Sequence, residues 1–118
     1  MRIMPADARQ SSADRQGPGL VIASQITALA RGQAIVRLAG ERPWASITFS
    51  GMRYSFEIER SADAKASALQ ELVQFLADHE FVIPGYFVAD TVIRDQSRSR
   101  VLVDILAIID PVDARRIS

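Results

Sequence analysis

The 118-residue chain has no cysteine, one histidine and one lysine. Without cysteine it forms no disulfide bond, holds no metal ion through thiolates and has no thiol nucleophile. A lone histidine leaves a zinc site short of its usual ligands and allows a Ser-His-Asp relay only through His79. We therefore expect no cofactor and no metal ion, and the lack of disulfides fits a reducing compartment.

The sequence also lacks an excess of either charge, because 14 basic and 14 acidic residues cancel. No overall positive field attracts nucleic acid or an anionic membrane, and five Phe, two Tyr and one Trp are needed mainly for a core. Residues 20–30 are about half as long as a membrane span. Residues 1–10 have no apolar core typical of a secretory signal. We expect a cytoplasmic protein that contacts neither membranes nor nucleic acid.

The length of 118 residues is typical of one domain. Residues 1–19 are polar, mixed in charge and end in Gly17-Pro18-Gly19, so we expect a flexible N-terminal segment. Residues 20–111 are predicted to form a single α+β domain, followed by a frayed C-terminus over 112–118.

Residues 20–30 fit two patterns. Apolar residues recur at every third or fourth position, as in a helix, and also at alternate positions, as in a strand. Arg31-Gly32 is typical of a two-residue turn, and apolar residues return over 33–38. These features favour a hairpin.

A second hairpin is predicted around Ser50-Gly51, between strands 44–49 and 52–58. This turn places the large apolar side chains on one face, and a slip of one residue would destroy that arrangement. The pairing that follows sets Phe49 opposite Met52, Ile47 opposite Tyr54 and Ala45 opposite Phe56.

Residues 61–79 carry the pattern of an amphipathic helix. Ser61 or Asp63 can cap its first turn, and Phe75 lies off the apolar stripe, where it reaches a rim or a partner. The stripe itself recurs at steps of three and four residues: Ala62, Ala66, Leu69, Leu72, Val73 and Leu76.

A closing hairpin joins strands 86–94 and 100–109 through residues 95–99. The whole pattern predicts an antiparallel sheet of about five or six strands, in the order ββββαββ, packed on one main helix. A run such as 101–109, apolar on both faces, is expected where both faces of a strand are covered.

One helix covers only one face of a sheet, so something else must cover the second. Three solutions remain open: a second helix from the N-terminal part, closure of the sheet into a barrel, or another copy of the chain. We favour a homodimer that packs sheet faces or extends a sheet edge. Its expected contacts are Trp44, Val101, Val103 and Ile105.

Candidates for chemistry are few. His79 lies at a helix C-terminus, which favours an imidazolium, but it is also a candidate general base beside Glu80. Asp90 and Asp104 interrupt apolar strands. A two-residue turn at 97–98 places them on opposite faces. A three-residue turn at 97–99 makes them diagonal neighbours that suit an acid–base couple or a hard cation.

Three arginines, Arg94, Arg98 and Arg100, surround the closing turn and are candidate contacts for an anion or a partner. From all these patterns we expect a small soluble domain that acts without catalysis, as a homodimeric structural or interaction module. The alternative is a small-molecule-binding protein or small enzyme, with a pocket between helix and sheet that uses Asp90, Asp104 or His79.

Overall fold

The structure, a computed structural model, describes residues 17–111. Within these residues the fold is α+β, with two helices and one four-stranded antiparallel sheet in the order β1-β2-β4-β3. The prediction of five or six strands in ββββαββ order is therefore wrong in number and order. The elements are α1 Gly17–Ala30, β1 Ala34–Ala45, β2 Ser50–Arg60, α2 Ala68–Asp78, β3 Tyr86–Gln96 and β4 Arg100–Ile109.

The hairpin predicted from residues 20–38 is wrong, because α1 is a helix. Pro18 lies in its first turn, where proline costs no helical hydrogen bond. Ile22 and Ile26 are both fully buried on one side. Arg31 and Gly32, with φ of 52° and 80°, end the helix in the left-handed region instead of turning a hairpin.

Helix α1 begins inside the predicted N-terminal segment 1–19. Residues 17–19, expected to be flexible, form the first turn of this helix. The remainder of that predicted segment, 1–16, and the predicted frayed end, 112–118, lie outside the described residues.

The first sheet hairpin turns at residues 46–49, before the predicted turn at Ser50-Gly51. Over residues 46–49, the Ser46 amide donates to the Phe49 carbonyl at 2.8 Å, and the Ser46 hydroxyl accepts from the Phe49 amide at 3.0 Å. A serine that bonds its own turn in this way displaces the Ser50-Gly51 turn. Ile47 is consequently fully exposed. The observed partners are Pro43 with Met52, Glu41 with Tyr54, and Leu38 with Phe56.

Helix α2 begins at Ala68, so the predicted start at residue 61 is wrong. Ser61 does not cap it: the Ser61 hydroxyl instead donates to the Gly32 carbonyl at 3.3 Å. Residues 61–67 form turns that carry the chain from β2 to α2. Phe75 does lie off the apolar stripe, and half of it is exposed. The buried stripe is Ala68, Leu69, Leu72 and Leu76.

Both helices pack on the same face of the sheet and share one core with it. Val101, Val103 and Ile105 lie in this core and are completely buried, so they offer no surface to another copy. A second helix, one of the three solutions considered from the sequence, is therefore present as α1. It packs on the same face of the sheet as α2 and does not cover the opposite face. Barrel closure does not occur among residues 17–111, because β1 and β3 remain edge strands.

We call the sheet face opposite the helices the outer face. Leu106 and Ile108 point to it from β4 and yet are only 5% and 4% exposed. Their strand lies between β2 and β3, whose side chains flank them on both sides. Neighbouring strands therefore supply much of the burial that the apolar pattern requires.

Candidate functional site

The outer face is built from rows of side chains that cross all four strands. The pairing of the strands places an apolar row at one end of the outer face and two rows with polar residues next to it. In the order β1, β2, β4, β3 the rows are Trp44, Gly51, Ile108, Phe87; then Arg42, Arg53, Leu106, Asp90; then Gly40, Ser55, Asp104, Val92.

Asp104 is the polar centre of this face and is 8% exposed. The Ser55 hydroxyl donates to its Oδ1 at 2.7 Å, and Arg94 Nε donates to its Oδ2 at 2.9 Å. A buried carboxylate is costly unless it is paired and hydrogen-bonded. The two partners meet that need, so Asp104 holds β2, β4 and β3 together.

Asp90 and Asp104 share the outer face as diagonal neighbours, since Asp90 lies opposite Leu106 and Val92 opposite Asp104. This is the arrangement expected from the three-residue connection 97–99. However, Asp90 is exposed, and both oxygens of Asp104 already have partners. Within residues 17–111 no group of three or more His, Asp or Glu side chains is placed to hold a metal ion.

Arg42 and Arg53 lie directly opposite each other on β1 and β2. Neither guanidinium has an ion pair or hydrogen bond with the residues that the structure describes. Like charges directly across a strand pair are unfavourable. The two arginines border a hollow of about 290 Å³, which we call the arginine hollow. Its lining residues are Gly40, Glu41, Arg42, Arg53, Ser55, Arg94 and Asp104.

The three arginines predicted around the closing turn do not form one site. Arg94 pairs with Asp104, whereas Arg100 pairs with Glu57 at 2.8 Å. Arg37 also binds Glu57 from β1, and the hydrogen bonds from Arg37 and then Arg100 hold the pKa of this carboxyl below its usual range. Arg98 is exposed at the hairpin tip.

His79 lies just after α2, with its Nε2 2.9 Å from Oε1 of Gln25 on α1. The edge of its ring meets Phe81 at a centroid distance of 4.6 Å. Gln25 also donates to the Val82 carbonyl at 2.7 Å and accepts from the Val82 amide at 3.2 Å. His79 is thus part of a clamp between α1 and the segment after α2, and Glu80 beside it is exposed.

A groove of about 540 Å³ lies between the two helices. Its walls combine apolar side chains, among them Leu29, Leu72 and the exposed Phe75, with charged ones such as Lys65 and Glu71. Neither His79 nor the two aspartates line it: Asp90 and Asp104 lie on the outer face, and His79 lies beyond the end of α2. The two aspartates are therefore close to each other but apart from His79, and none of the three lines the groove between the helices.

Trp44 lies half-buried on the outer face, opposite Gly51. At the same end Phe49 and Phe87 pack edge to face with ring centroids 6.1 Å apart. Sequence reasoning did not single out Arg42, Arg53 or Phe87. The hairpin predicted around Ser50-Gly51 began at residue 44 and left Arg42 outside the sheet, whereas the observed β1 includes Arg42 and sets it opposite Arg53.

A comparison of the chain with known protein families, curated proteins and solved structures finds no match. Within residues 17–111 no helix is long and apolar enough to cross a membrane.

Proposed function

We propose that the protein is a non-catalytic interaction module that works as a homodimer, with the outer faces of two copies packed together. One observation carries this proposal: both helices lie on the same side of the sheet, and no other element of residues 17–111 covers the outer face. That face presents partly exposed apolar side chains, among them Phe87 at 38% and Val92 at 40%. Exposed apolar residues grouped on one surface mark interaction sites.

The sheet edges are less suited to pairing than the face. Edge strands are protected by irregularities, proline and charge. β1 has an irregular register between Leu38 and Gly40 and contains Pro43, and β3 has two irregularities and carries Arg94 and Asp95. This favours packing of faces over extension of the sheet.

The size of the face also suits a dimer. Four strands and a ten-residue β4, at about 4.8 Å between strands and about 3.4 Å per residue, give a face of about 19 by 34 Å. Its flat projection is about 650 Å², and the accessible surface of the side chains is larger than this projection. A standard interface buries about 800 Å² on each partner.

The test is the association state of the full chain. Analytical ultracentrifugation across a wide concentration range is expected to give a reversible monomer–dimer equilibrium. Val92→Lys, on the outer face, should weaken association by at least about tenfold, because an ammonium replaces an apolar contact. Val82→Lys is the matched control, since Val82 is 72% exposed but lies in the segment between α2 and β3. A wild-type chain that stays monomeric at millimolar concentration would reject the proposal.

A second candidate is a binding protein for a small anion, and the arginine hollow favours it. Arg42 and Arg53 provide two guanidinium groups without a partner among the described residues, and guanidinium groups bind carboxylate and phosphate by paired hydrogen bonds. Thermal unfolding of the monomer with inorganic phosphate, acetate or citrate tests this candidate. A saturable rise in Tm that Arg53→Gln abolishes would support it, because a ligand selective for the folded state raises stability.

A further inference from the structure

The two halves of the outer face carry opposite charges that have no partner among residues 17–111, and this asymmetry defines how two copies can meet. Arg42 on β1 and Arg53 on β2 stand on one side of a single row, and Asp90 on β3 stands at its other end. Asp90, like the two arginines, has no ion pair or hydrogen bond with residues 17–111. The row therefore ends in an arginine on one edge strand and an aspartate on the other.

We propose that the two copies are related by a two-fold axis that runs parallel to the strands, between β2 and β4, so that Arg42 of each protomer pairs with the partner's Asp90. This inference rests on the homodimer proposed above and names its geometry. A rotation about such an axis keeps each row at its own height and exchanges the two sides of the sheet. β1 then lies over the partner's β3.

The other two-fold axis in the plane of the face, perpendicular to the strands, gives a worse arrangement. It places β1 over the partner's β1, and the outer face of β1 carries Arg37 and Arg42 but no acidic residue. Arg37 is already paired with Glu57 of β2, so Arg42 would meet only basic groups of the partner's β1. Juxtaposed like charges are strongly unfavourable at an interface. The charge pattern thus discriminates between the two ways in which sheet faces can pack symmetrically.

The neighbouring row agrees with the parallel axis. Trp44 on β1 and Phe87 on β3 are the two ends of the apolar row, so each tryptophan lies over the partner's Phe87. Aromatic residues are enriched in the buried centres of interfaces. The same rotation therefore matches aromatic with aromatic in one row and arginine with aspartate in the next.

Dimer formation buries the outer face, so pairing of Arg42 with the partner's Asp90 affects the stability of the dimer. An unpaired charge removed from water is costly, whereas a paired one is compensated. Arg42 and Arg53 are opposite each other within one chain and gain from a carboxylate that reaches them from outside. The second copy supplies a carboxylate for Arg42, which has no ion pair with residues 17–111.

Charge reversal tests the pairing. Arg42→Asp and Asp90→Arg should each raise the dimer dissociation constant by about tenfold or more, and the double variant should return it to within about threefold of the wild type. Arg98→Asp, at the exposed hairpin tip, is the control and should leave the constant unchanged. Circular dichroism and urea unfolding of each variant establish that it folds.

Cross-linking tests the axis independently of the charges. The chain has no cysteine of its own, so cysteines placed at 42 and 90 are the only thiols present. Arg42→Cys combined with Asp90→Cys should cross-link between protomers with a thiol reagent that spans about 10 Å, the distance between packed sheets. Arg42→Cys alone should not, because the two β1 strands are offset by three strand spacings, about 14 Å.

The outcomes separate the two proposals. A monomeric wild-type chain removes the homodimer and with it the pairing. A wild-type dimer in which single reversals have no effect, or in which Arg42→Cys alone cross-links efficiently, overturns the axis and leaves the homodimer in place. Restoration by the double reversal, together with cross-linking only in the 42/90 pair, establishes the geometry.

Discussion

The hydroxyl of Ser55 on β2 donates a 2.7 Å hydrogen bond to the carboxylate of Asp104 on β4. Arg94 binds the other carboxylate oxygen from β3, so one buried acid joins three neighbouring strands. Buried polar groups stabilise a structure only when each of them is hydrogen-bonded, because removal of one group leaves the others without partners. The outer face therefore depends on this cluster for its order.

Asp104→Ala is expected to lower the free energy of unfolding by about 2–3 kcal/mol, since Ser55 and Arg94 lose their acceptor in a shielded position. Urea unfolding at low protein concentration measures it. Asp63→Ala, on an exposed turn, is the control and should change stability by less than about 0.5 kcal/mol. Equal effects of the two substitutions would show that the cluster contributes little.

Gly51→Ala is expected to destabilise the fold by about 1–3 kcal/mol through overpacking. A Cβ at this position would collide with the carbonyl oxygen of Ala107 and lie 2.8 Å from the Cα of Ile108, and neither backbone atom can rotate away. Gly40→Ala provides the matched comparison, because nothing lies within 4 Å of a Cβ there. Urea unfolding should separate the two variants clearly, and a Gly51→Ala chain as stable as the wild type contradicts the close approach of β2 to β4.

Tyr54 should give the protein a distinct alkaline transition. Burial is the main cause that raises the pKa of Tyr54 to about 12, helped by the negative charge of Glu41 and opposed by a hydrogen bond with the backbone of Gly19. The unfolded chain releases this proton near pH 10, its ordinary value. Stability is therefore complete below about pH 10 and is lost as the pH rises toward 12, by about 3 kcal/mol in total.

Two measurements check that transition. Ultraviolet titration of phenolate absorbance should show one tyrosine ionising near pH 12, a step that Tyr54→Phe removes and Tyr86→Phe keeps. The free energy of unfolding of Tyr54→Phe, measured in urea between pH 9 and 12, should fall less with rising pH than that of the wild type, because the contribution of Tyr54 is absent. A wild-type titration without a step near pH 12 would disprove the burial of this hydroxyl.

Gln25→Ala should free the segment that follows α2. It removes the contact to His79 and both hydrogen bonds to Val82, with an expected loss of about 1–2 kcal/mol. Hydrogen exchange at the Val82 amide gives a local readout and should accelerate more than exchange in β4. Ser24→Ala, at the exposed preceding position of α1, is the control, and similar exchange rates in the two variants would refute the clamp.

Some features of the fold could be predicted from local pattern. β4 begins and ends where its apolar run does, because a central strand needs every residue of that run in the sheet. The buried stripe of α2 follows its spacing of three and four residues, although the helix starts later than expected. Both the bounds of β4 and the buried stripe of α2 follow from residues that are close together in the sequence.

Other features depend on contacts between distant segments. Residues 20–30 fit helix and strand alike, and only their packing on the sheet beside α2 selects the helix. The hairpin register was misjudged because the Ser46 hydroxyl closes a turn that competes with Ser50-Gly51. The β1 partner of Tyr54 is consequently Glu41 instead of Ile47, six residues earlier, and β1 extends over residues that the prediction left outside this strand.

The sequence by itself determined the α+β class, the amphipathic stripe of α2 and the need of β4 for burial on both faces, since these follow from composition and short-range periodicity. Only the tertiary structure decided that both helices lie on one side and that Arg42, Arg53, Asp90 and Asp104 share the other. Strand order and register decide that placement, and both arise from the packing of segments far apart in the chain.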